Sequence, residues 1–298
     1  MIFLITPVGP QRGVSFSGRA RETGKGDGQG GGRGNGGRQG GRAWRWGYSV
    51  AMSDALTFAW QAVVERIRRA EEAGGRAQGA VQLLAVSKTF PADDVRALAQ
   101  AVGQRDFGEN YVQEGVEKIR ALDATPLGLE LVWHCIGPLQ SNKTRLVAEH
   151  FDWVHTVDRV RIAQRLSEQR PAHLAPLQVC LQVNIDGGAS KSGVAPEEAL
   201  ALALEVAAMP RLCLRGLMTI PDPVEGRAEQ LRVHRLARGC FERLGEALNS
   251  PHWDTLSMGM SADLEAAVEA GSTMVRVGTA LFGHRPRGGG AFPVKSGG

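Results

Sequence analysis

Lys88 closes the run Leu83-Leu84-Ala85-Val86-Ser87-Lys88-Thr89, which is then broken by Phe90-Pro91. A short apolar run of this kind reads as a buried strand that delivers one amine at its C-terminal end. Partial burial disfavours the charged form of an amine and frees its lone pair for attack on an aldehyde. A lone strand-end lysine ordinarily reaches water and does no chemistry. Its meaning therefore depends on what gathers around it.

Other strand-like runs end in polar, small or conformationally special residues. They are Gly108-Glu109-Asn110-Tyr111, Gly137-Pro138-Leu139-Gln140-Ser141-Asn142-Lys143, Asn184 with Ser190-Lys191-Ser192-Gly193, and Met218-Thr219. The last two are Ser257-Met258-Gly259-Met260-Ser261 and Arg276-Val277-Gly278-Thr279. Glycines let backbone N–H groups approach a ligand, and helix starts favour anions, so the last two loops read as a phosphate cradle. An amine opposite a phosphate cradle points to pyridoxal 5′-phosphate held as an aldimine. Arg276 discriminates further. Arginine stays protonated and can only donate, so a pyridine nitrogen facing it keeps its lone pair and the ring is a weak electron sink.

These residues need a scaffold that brings strand ends together. Strands are expected at 82–88, 105–108, 131–136, 153–157, 178–184, 214–220, 254–258 and 274–278. Amphipathic helices are expected between them, at 92–102, 111–121, 141–149, 159–169, 196–208, 226–248 and 262–270. Continuous apolar strands alternating with such helices predict a parallel sheet covered on both sides. Eight units in this length predict a single α/β domain, a (β/α)8 TIM barrel over residues 52–285, with its site at the C-terminal strand ends. An extra N-terminal helix runs from Ser53 to about Ala73, with Leu56, Trp60, Val63, Val64 and Ile67 at helical spacing.

The ends have another composition. Residues 1–51 hold 15 of the 39 glycines and eight basic residues against two acidic ones. Their net charge of +6 leaves about −2 for the remainder of a chain whose total is +4. Such a Gly/Arg-rich tail is expected to be disordered, as are residues 286–298. Met52 reads as an alternative start, which would make the first 51 residues an upstream extension. A nucleic-acid alternative rests on this tail alone, since arginines with Trp44, Trp46 and Tyr48 suit RNA. Ile2-Phe3-Leu4-Ile5 is too short to span a membrane and lacks the basic flank of a signal peptide. Cys135, Cys180, Cys213 and Cys240 show no C-x-x-C spacing. That argues against a zinc site and fits a reducing, cytoplasmic setting.

Taken together the motifs are specific. Leu84-Ala-Val-Ser-Lys88-Thr, Phe107-Gly-Glu-Asn-Tyr-Val-Gln113, Trp133-His-Cys-Ile-Gly-Pro-Leu-Gln-Ser-Asn-Lys143, Ser190-Lys-Ser-Gly193, Arg215-Gly-Leu-Met-Thr-Ile-Pro221, Leu256-Ser-Met-Gly-Met-Ser261 and Arg276-Val-Gly-Thr-Ala-Leu-Phe-Gly283 occur in order. Over Ser53 to Gly283 the chain resembles the pyridoxal phosphate homeostasis proteins.

The resemblance implies a single-domain barrel similar to the N-terminal domain of alanine racemases. Lys88 would carry the cofactor as a Schiff base. Arg276 would lie at the pyridine nitrogen, Ser257, Gly278 and Thr279 at the phosphate, and Asn110 and Met218 along the ring. It implies a cofactor binder that buffers or delivers pyridoxal phosphate, with apo forms of cofactor-dependent enzymes as partners and no catalytic turnover; a barrel top uncovered by a racemase-type partner domain is compatible with a monomer. A weak racemase or lyase is the enzymatic alternative. Racemisation needs a tyrosine from a second domain, and the chain has only Tyr48 and Tyr111. Many relatives carry a second lysine where this chain has Phe90. Lys143 and Lys191 match loop lysines of the family and are candidate secondary cofactor sites.

Overall fold

The computed structural model describes residues 40–124, 130–188 and 192–283, with side chains from residue 53 onward. The chain divides into two units, Met1–Ala43 and Trp44–Gly298. Of the tails expected to be disordered, residues 1–39 and 286–298 lie outside the described residues, as does Lys191, whereas residues 40–51 are helical and open the first helix.

The second unit alternates strand and helix as expected. After α1 (Gly40–Ala73) come β1 (Gln82–Val86), α2 (Ala92–Val102), β2 (Asp106–Glu109), α3 (Val112–Asp123) and β3 (Val132–Cys135). A short 3-10 turn leads into α4 (Thr144–His150), then β4 (Trp153–Val157), α5 (Val160–Gln169), β5 (Leu177–Gln182) and α6 (Ala199–Ala207). The unit finishes with β6 (Leu212–Met218), α7 (Arg227–Leu248), β7 (Thr255–Ser257), α8 (Leu264–Glu269), β8 (Met274–Val277) and α9 (Thr279–Phe282). The strands pair in parallel in sequence order, and β8 closes on β1 with Leu84 opposite Arg276. This is the (β/α)8 barrel.

Two apolar layers follow from the two faces of each strand. Outward residues such as Ala85, Phe107, Val154 and Leu217 pack against the helices in one large core. Inward residues form a much smaller cluster of Leu84, Val86, Ile136 and Met274. Barrel interiors are usually filled by bulky branched side chains. In this barrel much of the interior is polar instead, and that polarity builds the site.

Most boundaries shift by one to three residues, and two of the differences bear on the site and its scaffold. β1 ends at Val86, so Lys88 lies in a turn beyond the strand. Phe90 N–H closes that turn on Ser87 O at 3.1 Å, and Thr89 adopts φ +70°. A β-branched residue there is strained and must be held by its surroundings. The first helix begins at Gly40 and not at Ser53. No proline interrupts 40–53, and Ser53 donates no cap; its carbonyl accepts the Thr57 hydroxyl at 2.8 Å. α1 buries Leu56, Val63, Ile67 and Ala70 in the outer core. Glu71 ties its end to β1 by accepting the Val81 N–H at 2.8 Å.

Candidate functional site

The expected site residues all map to the C-terminal mouth of the barrel. Lys88 is half-buried in the turn after β1. The turn is fixed from below by a buried charge cluster. Lys118 on α3 donates to Ser87 O at 2.7 Å, to Glu109 Oε1 at 2.8 Å and to Glu114 Oε1 at 2.7 Å. Ser87 Oγ donates to the same Glu109 oxygen at 2.6 Å, and Thr89 N–H donates to Glu114. Both neighbours of Lys88 are therefore clamped, which explains how Thr89 tolerates its strained backbone. Burial pushes the Glu109 carboxyl up, against the pull of the Lys118 charge and of the bonds it receives. Its second oxygen is buried without a partner.

Asn110 is half-buried just past β2. Gly137, after β3, lies so close that a Cβ there would stand 2.0 Å from Asn110 O. The two strand ends pack backbone on backbone, and only glycine permits it. Met218 and Ser257 are fully buried and face each other across the β6–β7 pairing. Gly278 sits against β1: a Cβ there would be 3.1 Å from Val86 O. Thr279 is exposed at the start of α9.

Arg276 is the buried centre of this end. Its Nη1 donates to Ser257 O at 2.7 Å and to Ser257 Oγ at 2.8 Å, and its Nη2 donates to Thr219 O at 2.8 Å. Burial pushes the guanidinium down to about 10, with the Asp263 carboxylate opposing, so it stays charged at neutral pH. Its Nε and one N–H of Nη2 have no partner among the described residues. Beside it, Thr219 Oγ1 is buried and unpartnered.

The Ser257 hydroxyl differs from expectation. It touches Arg276 on one side and His155 Nδ1 on the other, at 3.1 Å. It faces the barrel interior and is committed there, so its side chain is not presented to a phosphate. The loop after β7 is pinned separately. Asp263 accepts the Met260 N–H at 2.6 Å and meets His234 Nε2 at 2.9 Å. Burial works to raise the Asp263 carboxyl, but those hydrogen bonds outweigh it and hold it below its ordinary value. Gly259 takes φ +91° in that loop, where a Cβ would lie 2.4 Å from the Ala267 Cβ.

Sequence reasoning missed Thr219 as a site residue, and it missed His134, His155 and Lys118. The signal for the histidines was parity: each is a polar residue at an inward position of an otherwise apolar strand. Lys143 closes the 3-10 turn at Ser141–Lys143, its N–H on Gln140 O. Phe90 stacks on Phe282, ring centroids 5.0 Å apart, beside Lys88. Among the described residues no cluster of histidine, cysteine or carboxylate groups could hold a metal. No described helix is long and apolar enough to cross a membrane.

Comparison with known proteins agrees with this geometry. The family "Alanine racemase, N-terminal domain" matches residues 60–286. The pyridoxal phosphate homeostasis protein of Vibrio cholerae is 55% identical over 223 residues, which is 75% of this chain and 93% of that protein. The protein of the same name from Pseudomonas aeruginosa is 58% identical over 228 residues, 76% of this chain and 94% of that protein. Among solved structures, PipY of Synechococcus elongatus with pyridoxal phosphate bound superposes with a TM-score of 0.63 at 37% identity. That match covers 74% of this chain and all of PipY. An alanine racemase of Clostridium difficile shares the fold, with a TM-score of 0.57 at 18% identity over 78% of this chain and 57% of its own. The chain belongs to the pyridoxal phosphate homeostasis protein family and carries the alanine racemase N-terminal domain.

Proposed function

We propose that the protein binds pyridoxal 5′-phosphate at the mouth of the barrel through the Lys88 amine, and that it buffers or delivers the cofactor without turning over a substrate. The residues fit that group. The Thr219 hydroxyl is buried without a partner, and Arg276 beside it keeps N–H groups that no described residue bonds, so both can meet a polar ligand. Gly278 keeps the wall beside Val86 free of a side chain. When bound, the cofactor supplies an aldehyde that condenses reversibly with a primary amine, and a ring that draws electrons from the atoms attached to it.

Lys88 is the amine, and the Lys118 cluster fixes the turn that carries it. Asn110 and Met218 line the ring. Gly278 and Thr279 hold the phosphate with the loop pinned by Asp263. Ser257 serves the site through Arg276. Arg276 faces the ring nitrogen and only donates, which weakens the ring as an electron sink. Tyr111, the sole tyrosine whose side chain is described, is 56% exposed at the start of α3 and is poorly placed as a buried proton donor. The placement of Tyr111 favours a carrier over a racemase.

The observation that carries the reading is the buried Arg276–Ser257–Thr219 cluster at the same mouth as Lys88. Borohydride treatment after addition of pyridoxal phosphate, followed by peptide mapping, tests it. A pyridoxyl label on the Leu83–Thr89 peptide, lost in Lys88→Ala, is expected; an unlabelled peptide in the native protein refutes it. Transfer from the loaded protein to an apo-aminotransferase, with free cofactor trapped, separates delivery from storage. Deuterium exchange at Cα of added amino acids would reveal the racemase or lyase alternative. The four cysteines are free, which supports a reducing compartment such as the cytoplasm.

A further inference from the structure

A line of hydrogen bonds crosses the inside of the barrel from Arg276 to the opposite rim. Arg276 Nη1 meets Ser257 Oγ at 2.8 Å, and Ser257 Oγ meets His155 Nδ1 at 3.1 Å. His155 Nε2 meets His134 Nδ1 at 3.0 Å, and His134 Nε2 meets Asp106 Oδ1 at 3.1 Å. Ser257, His155 and His134 are fully buried, while Asp106 at the start of β2 keeps 19% of its side chain exposed. Trp153 covers one face of His134, stacked at 5.3 Å, and Arg215 lies 5.0 Å over Trp153.

One arrangement of protons satisfies every contact between the two ends. Arginine only donates, so Ser257 Oγ accepts from Arg276 and keeps its own proton free to donate onward to His155 Nδ1. His155 then carries its proton on Nε2 and gives it to His134 Nδ1. His134 in turn carries its proton on Nε2 and gives it to Asp106. From the other end, an ionised carboxylate only accepts, which suits the same sequence of donors. The two ends agree on one direction for the line. Burial beside His134 and Arg276 disfavours a charged His155 in the same sense.

We propose that His155 and His134 are positioning residues for Arg276: they hold the Ser257 hydroxyl turned toward the barrel floor, so that its lone pair anchors the guanidinium and aims the uncommitted N–H groups at the mouth. This rests on the reading that pyridoxal phosphate binds there. Without the histidines the hydroxyl rotates, Arg276 loses one of its three anchors, and the donor that meets the ring nitrogen is no longer fixed. The aromatic stack on His134 keeps the second ring from turning over.

Two measurements test the proposal. The first is long-range ¹H–¹⁵N spectroscopy on histidine-labelled protein before any cofactor is added. Both rings should be neutral with the proton on Nε2; a charged ring, or a proton on Nδ1 of either, overturns the proposal. The second is pyridoxal phosphate binding and the visible absorption of the loaded protein. Ser257→Ala and His155→Leu should weaken binding by about tenfold, the usual worth of a hydrogen bond to a charged group, and should shift the absorption band. His155→Asn, whose Oδ1 can accept where Nδ1 did, should recover most of both. Ser257→Ala removes little volume and carries the test if His155→Leu does not fold. Affinity within about twofold of native and an unshifted band in the variants, with the native protein binding normally, overturn this inference alone. A native protein that takes no label at Lys88 overturns both it and the reading beneath it.

Discussion

Replacing Lys118 by methionine should destabilise the protein strongly, and by an amount that depends on pH. The Lys118 ammonium donates to Ser87 O, Glu109 and Glu114, with 7% of its side chain exposed and none of that of Glu109. Methionine fills much the same volume but leaves the Glu109 carboxylate buried without a counter-charge. The cheapest escape is protonation. From an ordinary glutamate value of about 4.3 this costs about 1.36 kcal/mol per pH unit, or about 3.7 kcal/mol at pH 7. The lost bond to Ser87 O adds about 1 kcal/mol. The sum lies in the range of about 3–5 kcal/mol seen when one member of a buried pair is removed. Glu114 is partly exposed and can turn to water, so it adds little.

The sign follows from burial already raising the Glu109 carboxyl, which loss of Lys118 raises further. A folded state that keeps a proton the unfolded chain releases loses stability as pH rises. The penalty at pH 5 should therefore be smaller than at pH 7, by up to about 2.7 kcal/mol. Urea titrations of native and Lys118→Met protein at both pH values measure this. Adding Glu109→Gln should abolish the pH dependence that Lys118→Met introduces, because neither member of the buried pair then titrates. A penalty under about 1.5 kcal/mol at pH 7, or one equal at the two pH values, would falsify the buried-cluster account.

Two further outcomes follow from close packing and burial. Gly137→Ala should cost about 2–4 kcal/mol, since its Cβ would fall 2.0 Å from Asn110 O and backbone cannot yield cheaply; differential scanning calorimetry should show the transition lowered by about 5–15 °C. The native thiols should react in order of exposure. Burial pushes Cys135 up to about 12 and Cys180 higher still, whereas Cys213 is only partly buried. Mass spectrometry after a maleimide pulse near neutral pH should find Cys213 labelled before Cys135 or Cys180, and the reverse order would refute the placement of β3 and β5.

The order and type of the barrel elements were legible because eight apolar runs alternate with amphipathic helices, and each class has its own period. Lys88, Arg276 and Gly278 stood out as polar or special residues at strand ends. What stayed hidden were relations between strands distant in sequence. Lys118 lies on the buried face of α3, and nothing local says that its partner is Glu109 one strand earlier. Ser257 looked like a phosphate ligand because it opens a glycine-containing loop; its inward direction depends on strand parity and on His155, 102 positions away. The start of α1 was misplaced because Ser53 is a good cap by type, while a helix already under way needs none.

The polar interior also explains why Arg276 is held as it is. Desolvating a guanidinium is costly, and the common remedy is an adjacent carboxylate. Among the described residues no carboxylate bonds Arg276; two carbonyls and a hydroxyl do. Carbonyl dipoles satisfy the donors without cancelling the charge, so the cation's field persists at the mouth. The compensating charge stands at the far end of the line, on Asp106, separated by two imidazole rings. A carboxylate placed beside Arg276 would stabilise the fold more and serve a ring nitrogen less, because the donors facing it would be bonded already. On this argument the small apolar interior of Leu84, Val86, Ile136 and Met274 is the counterpart of the polar line: the barrel gives up apolar filling along β3, β4 and β7 to keep one charged donor oriented and unneutralised.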